Sequence, residues 1–296
     1  MVLAVPRALI IGCGFIGEVV ADLLFQMGWE VCATCRSDLS AGRLSHKPYP
    51  IRACDVVQGT SLQLFSELQL DAVFFCASSR GGGAEAYQAL YLQGSCNVSK
   101  VLRPKKILFA SSTSLYAQED GEIVDEQSPA EPKHLAGKIL LEAENAILRT
   151  GGTVARLAGI YGPARSVLMK RFLTGQARLE GDGQRWINQI HREDAARALV
   201  CLLHAPEGIY NVCDCRPARQ CEIYQWLADF FQMPLPREGH ENLERKRGHS
   251  NKRVSNQKLR DRQWVPHWMS YRDAIPSIAS TLVEVQEDYS SSEKVL

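Results

Sequence analysis

Short, nearly continuous apolar runs alternate with amphipathic stretches through the first half of the chain. Such runs are typical of parallel strands that are buried on both faces of a sheet. The predicted strands cover residues 8–11, 30–34, 51–53, 72–76, 106–110 and 153–156. The helices predicted between them cover residues 17–27, 62–68, 84–102 and 135–149. This alternation predicts an α/β fold with a doubly wound parallel sheet.

The pattern becomes less regular after about residue 160. It predicts helices at 167–173, 192–203, 221–231 and 271–287, a short strand at 209–212, and a loop at 234–253. We therefore divide the chain into a sheet domain (1–160), a smaller mixed α/β region interleaved with the sheet (161–288), and a disordered polar tail (289–296). We expect the smaller region to bind a ligand, because ligands of open α/β sheets bind at the carboxyl edge of the strands.

A glycine turn joins the first predicted strand to the first predicted helix. Gly12, Gly14 and Gly17 form the pattern G-x-G-x-x-G, in which the glycines permit a tight turn, close approach of a diphosphate, and close packing of the helix. The free N–H groups at the helix start, next to Phe15 and Ile16, favour a phosphate there. The frame of strand, turn and helix therefore predicts a Rossmann dinucleotide-binding site, and the alternative is a glycine turn that binds nothing.

The end of the second strand favours NADP over NAD. It carries Arg36 and Ser37 where NAD-binding folds usually place an acidic residue, and an arginine pairs well with a 2′-phosphate. The alternative is an exposed arginine, with Asp38 on the ribose of NAD. Asp55, just after the third strand, is a candidate acceptor for the adenine amino group or a solvated loop residue.

Composition excludes several classes of partner. The 296 residues carry a formal net charge of +1, so neither nucleic acid nor an anionic membrane is an expected partner. No apolar run approaches the roughly 20 residues that span a bilayer, and the apolar N-terminus is interpreted as a strand, not a signal peptide. The ten cysteines include the pairs Cys32/Cys35 and Cys213/Cys215, which we interpret as reduced, buried thiols of a cytoplasmic protein without a metal site.

Four further sequence blocks follow in order along the chain. They are SSTSLY (111–116), RLAGIYGP (156–163), GDG (181–183) and IHREDAARA (190–198). Together with the glycine turn they resemble the extended short-chain dehydrogenase/reductases, the NAD-dependent epimerase/dehydratase superfamily, over about residues 8–285. The resemblance implies a dinucleotide-dependent protein that acts on a small-molecule substrate.

In that family a serine, a tyrosine and a lysine carry the chemistry. The resemblance places the serine at Ser112 and the lysine at Lys138. The tyrosine, which exchanges a proton with the substrate oxygen, would stand four residues before the lysine, where this chain has His134. The chain thus resembles the atypical branch of the extended short-chain dehydrogenases, which lacks the catalytic tyrosine.

Three hypotheses for the chemistry follow from this replacement. His134 transfers the proton; or Tyr116 or Tyr161 does so; or the site no longer performs redox chemistry and Ser112 and Lys138 only hold the cofactor. The corresponding functions are an NADP-dependent oxidoreductase of a small polar or sugar-like alcohol or carbonyl, and a non-catalytic NAD(P)-binding regulatory protein. A nucleotide-sugar epimerase or dehydratase is a further alternative.

The candidate substrate side is less specific. Arg185 follows the GDG turn, where relatives contact a substrate phosphate, and it is also explained as a solvated charge. The basic residues 245–247 and 252–253 predict a charged loop. His191 and Asp194 are interpreted as structural. The helices at 84–102 and 135–149 are the expected surface of a possible homodimer, by analogy with relatives.

Overall fold

The computed structural model describes residues 5–79, 81–239 and 250–292. Its strands are β1 (Arg7–Ile11), β2 (Glu30–Cys35), β3 (Ile51–Ala53), β4 (Ala72–Phe75), β5 (Lys106–Ser112), β6 (Ile123–Val124), β7 (Thr153–Leu157), β8 (Gly159–Tyr161), β9 (Leu179–Glu180), β10 (Trp186–Ile187), β11 (Gln189–His191), β12 (Gly208–Val212), β13 (Ala218–Arg219), β14 (Glu238–Gly239) and β15 (Arg253–Val254). Its helices are α1 (Gly17–Gln26), α2 (Asp38–Gly42), α3 (Gly59–Leu62), α4 (Ala84–Tyr87), α5 (Gly94–Leu102), α6 (Leu135–Leu148), α7 (Val167–Leu173), α8 (Arg192–Cys201), α9 (Gln220–Phe231), α10 (Gln257–Arg260) and α11 (Tyr271–Ser292).

Seven parallel strands form the central sheet, in the order β3-β2-β1-β4-β5-β7-β12. Successive side chains of β1 enter different cores: Ala8 and Ile10 pack with α1 and α8, whereas Leu9 and Ile11 pack with α5 and α6. Helices therefore cover both faces of the sheet, which confirms the predicted doubly wound α/β fold. No helix among the described residues is long and apolar enough to cross a membrane.

Several element boundaries differ from the sequence prediction. β5 continues two residues further, to Ser112, because its last residues still pair with β7. The helix predicted at 84–102 is observed as α4, a π-helical segment (Gln88–Gln93) and α5. The helix predicted at 62–68 is shorter, and consists of the end of α3 and a 3-10 turn (Gln63–Phe65).

The second half of the chain contributes both to the sheet and to a separate core. The predicted strand at 209–212 is β12, which pairs with β7 as the outermost strand. The helices α7, α9 and α11 pack around a third apolar cluster that includes Tyr161, Phe172 and Tyr224. Outside the central sheet, the described residues also form the two-stranded ladders β8–β11, β9–β14, β10–β13 and β6–β15.

Two predictions concern segments at the limits of the described part of the chain. The predicted loop at 234–253 includes β14 and the first residue of β15, while its basic run at 245–247 lies outside the described residues. α11 continues to Ser292, into the segment 289–296 for which disorder is predicted, and residues 293–296 lie outside the described part.

One cysteine of each pair is buried, Cys35 and Cys213, whereas Cys32 and Cys215 are half-buried. Cys32 and Cys35 both lie on β2, but they pack into the cores on opposite faces of the sheet. Cys213 is buried and donates to the carbonyl of Val254, and burial raises the pKa of its thiol. None of the ten cysteines forms a disulfide, and the described residues contain no cluster suited to a metal ion.

A buried ion pair links α6 to the sheet. The guanidinium of Arg156 on β7 contacts both carboxylate oxygens of Glu144 on α6, at 2.7 and 3.1 Å, and both residues are at most 2% exposed. The same guanidinium lies 4.9 Å from the ring of Tyr116, whose hydroxyl donates to Asn211 on β12 at 2.9 Å. These contacts hold α6, β7, β12 and the segment that follows β5 together at one end of the sheet.

We predict that Glu144→Ala destabilises the fold by about 3–5 kcal/mol, because it leaves the Arg156 guanidinium buried without its carboxylate. The free energy of unfolding in urea measures this change. The matched control is Glu142→Ala on the same helix, where the side chain is exposed, and a change within about 0.5 kcal/mol is expected. Equal effects of the two substitutions would contradict a stabilising role of the pair.

Candidate functional site

The glycine turn after β1 depends on contacts that only glycine allows. Gly12 has a φ of +88°, and a Cβ there would lie 2.5 Å from the Cα atom of Ala77, just beyond β4. A Cβ on Gly17 would lie 2.2 Å from the carbonyl oxygen of Gly12. The turn is also fixed to β2, because the N–H of Cys13 donates to the carbonyl of Thr34 at 2.7 Å. The start of α1 therefore packs directly on the carboxyl edge of the sheet.

Open space lies in front of this turn. Gly14 is exposed, and no atom lies within 4 Å of the position its Cβ would occupy. The N-cap residue of α1, Ile16, provides no side-chain hydrogen bond. The N–H of Glu18 donates to the carbonyl of Gly14 at 2.9 Å, whereas no acceptor among the described residues receives the N–H groups of Phe15, Ile16 and Gly17, which therefore remain available to a ligand. Phe15 is half-buried beside them. The residues present thus fit the diphosphate of a dinucleotide.

The three residues predicted to select the nucleotide lie beyond β2 and β3. Arg36 is exposed, and within the described residues its guanidinium forms no ion pair or hydrogen bond. Ser37 caps α2 by accepting from the N–H of Ser40 at 3.4 Å, so its side chain already has a structural role. One carboxylate oxygen of the half-buried Asp55 accepts from the N–H of Val57 at 3.1 Å, which leaves the other oxygen for a ligand.

The three candidate catalytic residues meet at the same edge. Ser112 ends β5, and its hydroxyl oxygen accepts from the N–H of Ser114 at 3.2 Å. His134 is the exposed N-cap of α6, and its carbonyl accepts from the N–H of Lys138, also exposed, at 3.1 Å. A Cβ on Gly137 would lie 3.9 Å from the side chain of Leu115, so the start of α6 lies against the turn that follows Ser112.

Two tyrosines considered as substitutes for the missing one are buried. Tyr116 is 0% exposed, and its hydroxyl is used by Asn211. Tyr161 is 2% exposed, packs edge-on against His191, and burial raises the pKa of its hydroxyl. Neither hydroxyl has access to a substrate in this structure, so the hypothesis that one of them transfers the proton loses its support.

The basic residues of the substrate side differ from expectation. Arg185 is half-buried and its guanidinium lies 3.6 Å from a carboxylate oxygen of Glu180, so its charge is partly neutralised. Lys252, in the predicted charged loop, is 5% exposed and donates to Ser250, and burial lowers its pKa to about 8. Arg253 lies 5.2 Å from the ring centre of Trp186. Lys252 does lie in a loop, but its side chain is buried, and Arg253 begins β15.

The IHREDAARA block has structural contacts. One ring nitrogen of His191 accepts from the N–H of Glu193 at 3.4 Å, and burial lowers its pKa to about 4. The buried carboxylate of Asp194 accepts from the N–H groups of His267 and Trp268 at 2.8 and 3.0 Å. These contacts support the structural interpretation of both residues.

Two arginines near the glycine turn were not identified from the sequence. Arg165 and Arg192 place their guanidinium carbons 4.7 and 4.9 Å from the ring centre of Phe15. Arg192 lies inside the IHREDAARA block, but at a position that the family motif leaves open. No local sequence signal connects either residue with the turn.

The chain is similar to known proteins both in sequence and in fold. The sequence model of the NAD dependent epimerase/dehydratase family matches residues 8–213. The protein YeeZ of Escherichia coli is 32% identical over 240 residues, which cover 78% of this chain and 85% of YeeZ. A solved structure from Methylobacillus flagellatus, described by the same family name, is 27% identical with a TM-score of 0.78, over 94% of this chain and 99% of that one.

Two sugar-nucleotide enzymes share the fold at lower identity. UDP-glucose 4-epimerase from Thermotoga maritima, solved with UDP-glucose, is 17% identical with a TM-score of 0.80, over 95% of this chain and 99% of that one. UDP-glucose 4-epimerase from Thermus thermophilus, in complex with NAD, is 20% identical with a TM-score of 0.78, over 93% and 98% of the two chains. At these identities the similarity concerns the fold alone.

Two glycine substitutions separate folding from ligand binding at the turn. Gly14→Ala should leave the thermal midpoint nearly unchanged, because space is open there, but weaken NADPH binding at least about tenfold by filling the approach to the turn. Gly17→Ala should instead destabilise the fold by about 1–3 kcal/mol, because its Cβ meets a backbone oxygen. Calorimetric titration and thermal unfolding measure the two effects. Unchanged NADPH affinity of Gly14→Ala would place the phosphates elsewhere.

Proposed function

The chain belongs to the NAD-dependent epimerase/dehydratase family, and on that premise we propose that it is an NADP-dependent oxidoreductase. Its substrate is a small polar or sugar-like alcohol or carbonyl. The observation that carries this proposal is the open glycine turn at Gly14 together with the unpaired guanidinium of Arg36 beyond β2. The substrate would bind between the carboxyl edge of the sheet and the region 161–288.

The choice of NADP rests on charge. A 2′-phosphate at the adenosine ribose would carry negative charge into reach of Arg36, whose planar guanidinium binds phosphate through paired hydrogen bonds. No carboxylate of the described residues neutralises Arg36, and Ser37 turns its oxygen towards α2. An NAD-specific site would need an acidic residue on the ribose hydroxyls, and Asp38 at the start of α2 is the candidate for that role.

The dinucleotide would supply the hydride, while side chains of this chain bind the substrate and move the proton. Ser112 uses its oxygen to accept from Ser114, so its O–H stays free to donate to a substrate oxygen. Lys138 lies one helical turn after His134, with both side chains exposed at the edge where β5 ends. We assign the ribose contact to Lys138 and the proton transfer to an imidazole nitrogen of His134, since histidine exchanges protons near neutral pH.

A non-catalytic NAD(P)-binding regulatory protein is the alternative. The observation that favours it concerns the tyrosine: His134 occupies the family's tyrosine position, and the two tyrosines considered as substitutes, Tyr116 and Tyr161, are buried. In a regulatory protein of this kind, Ser112 and Lys138 would only hold the cofactor.

An epimerase or dehydratase reaction is the less favoured alternative. The solved epimerases that share the fold include one in complex with NAD. Such enzymes regenerate the cofactor within each reaction cycle, and the position of Arg36 favours NADP instead.

We predict that Arg36→Met weakens NADPH binding by about 10- to 100-fold, because it removes charge-assisted hydrogen bonds to the 2′-phosphate. NADH binding should change less than about twofold. Calorimetric titration of both nucleotides measures the ratio of their dissociation constants. Arg149→Met, at the far end of α6, is the charge-matched control and should change neither affinity. Equal weakening of NADPH and NADH binding by Arg36→Met would contradict the proposed NADP preference.

We predict that His134→Ala and Lys138→Met separate the chemistry from cofactor binding. His134→Ala should lower turnover at least about 100-fold without changing NADPH affinity, as expected for a general acid. Lys138→Met should both weaken NADPH binding and abolish turnover. The measurement is NADPH oxidation with a panel of polar and sugar-like carbonyl compounds, beside calorimetric titration. A wild-type protein that binds NADPH but turns over no substrate of the panel would favour the regulatory alternative, and unchanged NADPH affinity of Lys138→Met would contradict the ribose contact.

A further inference from the structure

The ring of Phe15, inside the glycine turn, lies close to two arginines from distant parts of the chain. The guanidinium carbon of Arg165 is 4.7 Å from the ring centre, and that of Arg192 is 4.9 Å from it. Arg165 is exposed and lies three residues after Gly162, while Arg192 is half-buried at the start of α8. Two positive charges therefore lie near the side chain of the residue that follows Gly14.

The side chain of Arg192 is held in place through its stem. A Cβ on Gly162 would lie 2.8 Å from Cγ of Arg192 and 3.2 Å from the ring of Phe15. Only a glycine at 162 therefore leaves room for the arginine to reach the turn. The Nε atom of Arg192 is buried and has no hydrogen-bond partner among the described residues. This donor is positioned near the turn without a protein acceptor.

Neighbouring carboxylates do not compensate these charges. Glu193 and Asp194 both lie near Arg197, at 3.4 and 3.7 Å, and Asp194 also accepts two backbone N–H groups. Within the described residues neither Arg165 nor Arg192 has a carboxylate within 4 Å. The positive end of α1 adds to the same electrostatic field. Both guanidinium carbons lie within 4.9 Å of the centre of the same ring, and a bound anion would offset the repulsion between these like charges.

We propose that Arg165 and Arg192 form, around Phe15, an anion site that holds the diphosphate of the dinucleotide from the side opposite the N-terminus of α1. This inference rests on the proposed dinucleotide binding and extends it to residues from the second half of the chain. NADP and NAD carry the same diphosphate, so the two arginines strengthen the binding of both. Arg36, in contrast, distinguishes them through the 2′-phosphate.

The experiment measures dissociation constants of NADPH, NADH and adenosine 2′-phosphate by calorimetric titration. The variants are Arg192→Met and Arg165→Met, which keep an apolar stem on Phe15, and Arg192→Lys, which keeps the charge. Arg171→Met, which removes an exposed positive charge from α7, is the matched control. Thermal midpoints are recorded for each protein, because a purely structural stacking role would change stability and not affinity.

We expect Arg192→Met to weaken NADPH and NADH binding by the same factor, about tenfold or more, and Arg165→Met to act in the same direction. Arg192→Lys should restore part of the affinity. Binding of adenosine 2′-phosphate, which has no diphosphate, should change less than about twofold, and the weakening should shrink at high salt.

Three results would overturn the inference. One is unchanged affinity of both arginine variants for both dinucleotides. If the arginine variants keep their dinucleotide affinity but their NADPH complexes no longer bind inorganic phosphate, the anion held by the arginines would be a substrate phosphate. The second is an equal loss for adenosine 2′-phosphate or for the Arg171→Met control, which would indicate a general effect of charge. The third, absence of dinucleotide binding by the wild-type protein, would remove the proposed function as well, whereas the first two leave it intact.

Discussion

The close approach of two backbone segments at Gly12 and Gly17 is the constraint on which the rest of the site depends. Because glycine has no Cβ, the backbone at both positions can approach its neighbours closely. This allows α1 to start directly after β1, with the turn packed against Ala77, which follows β4. The carbonyl of Thr34 receives the N–H groups of Gly12 and Cys13, so the end of β2 is fixed to the same turn. These hydrogen bonds also fix the position of Arg36, because β2 ends at Cys35, the residue before it.

A buried ion pair positions α6 at the same edge of the sheet. Burying the Arg156–Glu144 pair removes two ions from water, which costs free energy that only close, paired hydrogen bonds offset. The pair fixes α6 against β7, and therefore fixes the first turn of α6 relative to the end of β5. The relative position of Ser112, His134 and Lys138 thus depends on two residues outside the candidate site. The candidate cofactor-binding residues and the candidate catalytic residues lie at one edge of the sheet, each group supported by different contacts.

The apolar runs predict six of the seven central strands. They also predict β12 as a strand, but not that it pairs with β7 at the edge of the central sheet. Local patterns contain no information about pairing, so β5 is predicted two residues too short: Ser111 and Ser112 are polar, yet they pair with Arg156 and Leu157. The Arg165–Phe15–Arg192 contact is unpredictable for the same reason. It exists because β8 and β11 pair in register from Gly159 to Tyr161, which brings the residues after both strands together at the glycine turn. Sequence motifs found the turn and the candidate catalytic residues, because their chemistry requires local spacing.

The distribution of charge around the site favours exchange of the cofactor. Arg36 and Arg165 are exposed, and exposed charges act mainly by accelerating association, with a contribution to affinity that salt screens. An oxidoreductase that consumes NADPH must bind and release it in every turnover, whereas an epimerase regenerates its cofactor in place and gains nothing from rapid association. Arg192, whose stem is packed on Gly162 and Phe15, adds a preorganised contact at lower entropic cost. A site with two exposed arginines and one fixed arginine therefore suits a dinucleotide that enters, reacts and leaves, which is the behaviour that the oxidoreductase proposal requires.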